Sequence, residues 1–303
     1  YIWKDEYSLW TDTVKKSPDG YMVHNGLGTV YLDKKLFDKA IEHFQIALGL
    51  KPDYPEAHNN LGNLYYEKGE IDKAIEHFQI ALNLVPNYHD AHYNLGLAYS
   101  KQGRFDEAIK EYMIAIKLKP NYANAHYNLG NTYFALGKFD EAIKEYMIAI
   151  KLKPDFPEAH NDLGNIYAKY GRFDEAIKEY TMALKLKSNY AETHNNLGNV
   201  YAIQGKLDEA IKEYLIVLKF TPEDAETHNN LANAYSEMGE LNKAIEHYQI
   251  ALRLMPDYPD AHYNLGLVYL EMGLKDKAVE EFKTALQLRP DFTPAKKALE
   301  SIK

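Results

Sequence analysis

The sequence predicts an all-α solenoid of helical hairpins, and three observations predict it. The dipeptide Leu-Gly recurs every 34 residues, at 27–28, 61–62, 95–96, 129–130, 163–164 and 197–198, continues as Leu231-Ala232 and returns at 265–266. Within each period the apolar residues fall into two runs of helical spacing. Glycine and proline lie between and after those runs, where helices stop. A period of this size means that no unit buries its own apolar face, so stability comes from its neighbours. Function then belongs to a surface.

Taken in order, residues 1–20 read as a half repeat, a second helix alone, with Trp10 in its aromatic slot and Pro18 in its terminating one. Residues 21–292 divide into eight units: 21–54, 55–88, 89–122, 123–156, 157–190, 191–224, 225–258 and 259–292. The unit 55–88 shows the logic. Ala57, Leu61, Gly62, Leu64 and Tyr65 form the inner face of a first helix, and Ile71, Ala74, Ile75, Phe78, Ala81 and Leu82 that of a second. Gly69 sits where the first helix needs a left-handed end, and Pro86 stops the second. Asp72 opens the second helix with the charge its N-terminal dipole favours, while Lys117 with Lys119, and Lys151 with Lys153, close later ones with the opposite sign. Three units depart from the pattern. Lys35 replaces the interhelical glycine of the first, Ser188 the proline of the fifth, and Ala232 the packing glycine of the seventh. Lys35 is the most costly, because a side chain disfavours the left-handed conformation. Residues 293–303 read as an amphipathic helix that caps the stack.

Composition narrows the function classes. There are 44 acids against 35 bases, a net charge of −9, and no Lys/Arg cluster longer than a pair, which makes nucleic acid and anionic membrane poor partners. Cysteine is absent, which removes disulfides, thiolate metal sites and a thiol nucleophile from consideration. No apolar run approaches the roughly 18 residues needed to span a bilayer. The chain opens on Tyr1 rather than Met and reads as a fragment of a longer protein, so its compartment is unconstrained.

The order Leu-Gly, Tyr three residues later, Ala-Ile, an aromatic, Ala-Leu and Pro, at a period of 34, resembles the tetratricopeptide repeat (TPR). The resemblance covers 21–292 and implies a right-handed superhelix with first helices on its concave face and second helices on its convex one. It also implies a protein-binding scaffold. The string FDEAIKEYMIAIKLKP occurs unchanged at 105–120 and 139–154, so the units are near copies and a repeated feature is not a set of independent observations.

No chemistry-bearing constellation survives inspection. His24, His58, His92, His126, His160, His194, His228 and His262 each take the fourth place of a unit. Successive members lie about 10 Å or more apart, whereas metal ligands share one ion at about 2 Å, so the histidines read as packing groups with a local hydrogen bond. No nucleophile elbow, phosphate loop or HExxH string is present. The pairs Asp106-Glu107 and Asp140-Glu141 open exposed helices, where they suit the dipole better than acid–base chemistry. The expectation is a chain that is not an enzyme and needs no cofactor or metal.

Residue 55 is place 1 of its unit, and places 2, 5, 6, 9, 12 and 13 of each first helix point away from its apolar stripe. Amides dominate there. Place 6 holds Asn60, Asn94, Asn128, Asp162, Asn196, Asn230 and Asn264; place 9 holds Asn63, Asn131, Asn165, Asn199 and Asn233; place 5 adds Asn25, Asn59, Asn161, Asn195 and Asn229. Asn is a poor helix former, so its concentration on a helix face asks for a reason. A carboxamide pairs with both the N–H and the C=O of an extended peptide whatever that peptide's sequence. The ladder resembles the groove asparagines of O-GlcNAc transferase repeats, which implies that it holds a substrate backbone. The alternative is packing between adjacent first helices. Glu56, Asp90, Glu158, Glu192, Glu226 and Asp260 at place 2 favour a neutral or basic ligand over an acidic one. The expected partner is therefore protein or extended peptide.

Place 26 of the second helix carries a row of aliphatics, Ile46, Ile80, Ile114, Ile148, Met182, Ile216 and Ile250, ending at Thr284. A regular row makes a ridge, a candidate convex assembly surface for a weak homo-oligomer. That gives a second reading of the chain, as a self-assembling structural scaffold. A third comes from the opening segment YIWKDEYSLWTDTVKKSPDG, which resembles the junction where polytopic membrane O-glycosyltransferases pass into C-terminal TPRs. This implies an accessory domain that recruits substrate to a catalytic part outside the chain.

Overall fold

The computed structural model describes residues 6–17 and 19–302. Pro18, proposed above as a helix stop, and residues 1–5, with the first tryptophan of the opening segment, lie outside the described residues. The chain forms two compact units, Tyr1–Pro154 and Asp155–Lys303. The first holds α1 (Glu6–Lys16), α2 (Tyr21–Asp33), α3 (Phe37–Leu50), α4 (Pro55–Glu67), α5 (Ile71–Leu84), α6 (His89–Lys101), α7 (Phe105–Leu118), α8 (Ala123–Ala135) and α9 (Phe139–Leu152). The second holds α10 (Pro157–Lys169), α11 (Phe173–Leu186), α12 (Ala191–Ile203), α13 (Leu207–Phe220), α14 (Ala225–Glu237), α15 (Leu241–Leu254), α16 (Pro259–Glu271), α17 (Lys275–Leu288) and α18 (Thr293–Ile302). No strand occurs among the described residues, and no helix is long and apolar enough to cross a membrane. From α2 onward the helices pair as hairpins, α1 packs on α2, and α18 packs on α17.

Each hairpin closes on a small residue and a ring. A Cβ placed on Gly62 would lie 2.5 Å from the ring of Phe78, so only glycine lets the two helices come this close without a shift. Between the helices Gly69 takes φ 79°, and Lys35, at the same place, takes φ 57°, alone among non-glycine residues described. The turn is kept despite the side chain. Leu36 N–H donates to Tyr31 O at 2.9 Å, as Glu70 N–H donates to Tyr65 O at 2.8 Å. Ser188 corrects a simple reading of the prolines, since α11 still ends at Leu186, the same place as its counterparts. What ends it is an extended residue, Lys187 at φ −139° and ψ 85°, so proline accompanies the stop without being needed for it.

The histidines of place 4 clamp their own hairpins. His92, His126, His160, His194 and His262 face Glu111, Glu145, Glu179, Glu213 and Glu281 at place 23, with Nδ1 2.5–2.6 Å from Oε2. In the other three hairpins the partner is a second histidine, His43, His77 or His247, with the Nδ1 atoms 2.9–3.1 Å apart. Tyr31, Tyr65 and Tyr235 stack on these partner rings at 5.4–5.6 Å. Where the Nε2 atom faces a carbonyl, as His92 faces Pro86 O and His58 faces Pro52 O, it must donate. Glu111 and the Pro86 carbonyl therefore both favour a His92 that donates from each nitrogen and raise its pKa, whereas His58 keeps a lone pair for the Nδ1–H of His77.

Candidate functional site

First helices touch in sequence, α2 to α4 to α6 to α8 in one unit and α10 to α12 to α14 to α16 in the other. All twelve candidate ladder residues on them are half-exposed: Asn60, Asn63, Asn94, Asn128, Asn131, Asp162, Asn165, Asn196, Asn199, Asn230, Asn233 and Asn264. Place 5 lies deeper than its helical angle suggests. Asn59, Asn161 and Asn229 are buried, because the next first helix covers them. Two of the three oxygens serve that contact, with Asn94 Nδ2 donating to Asn59 Oδ1 at 2.9 Å and Asn196 Nδ2 to Asn161 Oδ1 at 3.3 Å, whereas Asn229 Oδ1 is buried without a donor among the described residues. Asn60 Nδ2 reaches Asn25 Oδ1 at 3.1 Å in the same way.

Place 9 has a structural duty that sequence reasoning missed. The hydroxyls of Tyr146, Tyr180 and Tyr214 donate to Asn131, Asn165 and Asn199 Oδ1 at 2.7 Å, and Tyr248 donates to Asn233 Oδ1 at 2.5 Å. These tyrosines are the buried rings of their hairpins, and a phenol in that position needs an acceptor. Burial, with the charge of Glu237 nearby, pushes the Tyr214 and Tyr248 phenols well above their ordinary range. The signal was a pairing of Tyr at place 24 with Asn at place 9, while Phe44 goes with Thr29 and Phe282 with Leu267. Phe78 beside Asn63 and Tyr112 beside Leu97 break that rule, which blurs it. The place-6 amides complete the mesh. Asn230 and Asn264 donate to Asn199 and Asn233 Oδ1 at 3.3 and 3.0 Å, and Asn128 donates to Tyr93 OH at 3.0 Å. Asn199 and Asn233 Oδ1 thus each accept two bonds, so these amides keep only Nδ2 donors for a ligand, while Asn230 Oδ1, which accepts from Asn229 Nδ2, keeps one lone pair.

The structure gathers three ladder residues around one cavity. Asn199, Ala202 and Ile203 of α12, Tyr214 of α13, and Asn230, Asn233, Ala234 and Glu237 of α14 line an open depression of about 470 Å³. Ile203 is 67% exposed, far more than an isoleucine with a structural duty. Amides, aliphatic carbon and the Glu237 carboxylate line it together. Ile203 and Glu237 occupy place 13, which also holds Lys101, Ala135 and Lys169, so no repetition marked them. The remaining ladder residues are spread over the first-helix faces of the two units. The place-2 acids are partly neutralised. Arg289 forms a bidentate pair with Asp260 at 3.2 and 2.7 Å, Lys187 lies 3.7 Å from Glu158, and Tyr122 OH donates to Asp90.

The ridge is less prominent than the helical angle predicts. Ile114 and Ile148 are 38% exposed, and Ile46, Ile80, Ile216 and Ile250 are half-buried, while Met113 and Met147 at place 25 protrude further at 55% and 54%.

Stacked helical hairpins with a glycine–aromatic lock define a TPR protein, and comparison with known proteins agrees. The chain belongs to the tetratricopeptide-repeat family: residues 53–256 match the model of the cilia and flagella-associated protein 70 C-terminal domain, a TPR domain. Further TPR models match residues 28–69 and 223–291. Among solved structures the chain is similar to YrrB, a TPR protein with an unusual peptide-binding site, at 22% identity and TM-score 0.56, covering 62% of this chain and 97% of that one. It is similar to a chain of the APC/C hetero-tetramer Cut9-Hcn1 at 19% identity and TM-score 0.61, covering 98% of this chain and 58% of that one. The C-terminal part of a TPR repeat-containing protein from Cytophaga hutchinsonii matches at 17% identity and TM-score 0.65, covering 79% and 98%. At these identities the likeness is one of fold. No curated protein matches the chain.

Proposed function

We propose that this TPR scaffold is a non-catalytic binding module that holds extended polypeptide along its first-helix face, with the depression between α12 and α14 as the principal subsite. The observation that carries the reading is that cavity. Asn199, Asn230 and Asn233 meet there beside an isoleucine left largely in water and the exposed Glu237 carboxylate. Amides would pair with the backbone of the ligand, Ile203 and the alanines would take an apolar side chain, and Glu237 would favour a neutral or basic peptide over an acidic one. Because Ile203 and Glu237 are exposed, they can be changed without disturbing the amide mesh.

The test is a fluorescence-anisotropy titration of peptides selected from a random library, against the wild-type chain and the variant Ile203→Asp with Glu237→Lys. The variant should keep its helical circular dichroism and bind roughly tenfold more weakly, about 1.4 kcal/mol. Unchanged affinity would remove the cavity from the binding surface.

A further inference from the structure

The second-helix face of the first unit carries a charge inversion that the groove does not use. Places 22, 26 and 30 lie on one helix face, four residues apart. On α3 and α5 they read Glu42, Ile46, Leu50 and Glu76, Ile80, Leu84; on α7 and α9 they read Lys110, Ile114, Leu118 and Lys144, Ile148, Leu152. The isoleucine row is continuous, but the charge beside it changes sign halfway. Place 19, one turn earlier, inverts in the opposite sense, from Lys39 and Lys73 to Glu107 and Glu141. Seven of the eight charged residues are exposed and Glu107 is half-exposed; at place 19, Lys73 and Glu107 also pair with Glu70 and Arg104 of their own chain, while no ion pair is seen at the place-22 charges among the described residues.

We infer that this face pairs with a second copy of the same chain about a two-fold axis parallel to the second helices and lying between α5 and α7. Symmetry selects that axis. A rotation about it reverses the order of helices while preserving their direction, so α5 meets α7 of the other copy and α3 meets α9. Each place then faces its own number. Isoleucine meets isoleucine, Glu76 meets Lys110, Glu42 meets Lys144, and the place-19 charges are opposite as well. An axis running across the helices would set like repeats against each other with their helices antiparallel, bringing leucine against charge. The second unit shows an inversion in the reverse sense, from Lys178 and Lys212 to Glu246 and Glu280, but its apolar row breaks at Thr284, so the first unit is the complete surface. A lipid surface fits less well, because Glu42 and Glu76 share the face with the lysines. This inference is independent of the groove reading.

The test uses sedimentation velocity of the full chain at low ionic strength over a range of concentrations. One variant carries Glu42→Lys with Glu76→Lys, the other Lys110→Glu with Lys144→Glu. The wild type should dimerise, and more weakly as salt rises. Each variant alone presents one sign along place 22 and should associate roughly tenfold or more weakly, since like charges there face each other across the axis. An equimolar mixture of the two variants restores every pair and should dimerise like the wild type. Helicity by circular dichroism should be the same in all three. A wild type that stays monomeric at all concentrations would overturn the inference, as would a variant that self-associates like the wild type, or a mixture that does not recover. Binding of a monomeric chain to phosphatidylserine vesicles would overturn it in favour of a lipid surface.

Discussion

Replacing His77 with Glu converts the histidine–histidine clamp of the α4–α5 hairpin into the histidine–glutamate clamp of the α6–α7 hairpin, and should reverse its response to pH. In the native clamp burial lowers the His77 pKa below its ordinary value of 6.5, and the facing His58 lowers it further against a smaller opposing effect of Glu76. His58 is lowered by burial too. A group whose folded pKa is depressed contributes stability above 6.5 and loses it as pH falls through the folded value. Physically, two nitrogens 3.1 Å apart share one proton well and two badly. At His92 burial opposes charge, but the hydrogen bond and charge of Glu111, with the Pro86 carbonyl, outweigh it and raise the pKa. That clamp contributes its stability below 6.5 and loses it as pH rises through the raised value. The His92 and Glu111 side chains are only 11% and 19% exposed, so solvent screens little of a charge-assisted bond. Such a bond is worth about 1.5–3 kcal/mol. His77→Glu should therefore stabilise the α4–α5 hairpin by about that amount below the histidine range, and by progressively less above it. Hydrogen exchange of the α4 and α5 amides at pH values on either side of 6.5, corrected for intrinsic rates, reads the local change, with α6 and α7 as internal reference. Identical pH dependence in the wild type and the variant would refute the reasoning.

Two further substitutions test the hairpin geometry. Lys35→Gly relieves a left-handed backbone at φ 57° and should stabilise the α2–α3 hairpin by about 0.5–1 kcal/mol, read as slower exchange of its amides; a loss of protection would show that the lysine side chain matters more than its backbone. Tyr180→Phe removes the 2.7 Å bond to Asn165 and should cost the α10–α11 hairpin about 0.5–1.5 kcal/mol by the same measurement, whereas no change would mean that the Asn165 amide finds an equivalent partner.

The period, the turn glycines and the apolar stripes made the hairpins legible, because these depend on spacing alone. Lys35 shows how far that extends: its strained conformation followed from its place in the repeat. Partners were less legible. That His92 would meet Glu111 while His58 meets His77 depends on which side chain the second helix presents nineteen residues later, and both pairs satisfy the same helical pattern. The asparagine ladder was visible as a compositional oddity, yet its division of labour was not. Asn199 serves a buried phenol, a neighbouring amide and the wall of a cavity at once, and only the packing of α12, α13 and α14 reveals that. Ile203 escaped notice because place 13 varies from unit to unit, and a single sequence marks most clearly the places that do not.

The central claim is that amides in the α12–α14 depression recognise a peptide backbone. The most direct measurement is a titration of the selected peptide against the same peptide N-methylated at successive positions. Methylation within the bound stretch removes the backbone donor that the free lone pair of Asn230 Oδ1 would accept, and losing that bond should weaken binding by up to roughly tenfold at one position. An affinity that withstands methylation at every position, while changing with each side-chain substitution, would contradict backbone recognition and leave the asparagines as packing elements.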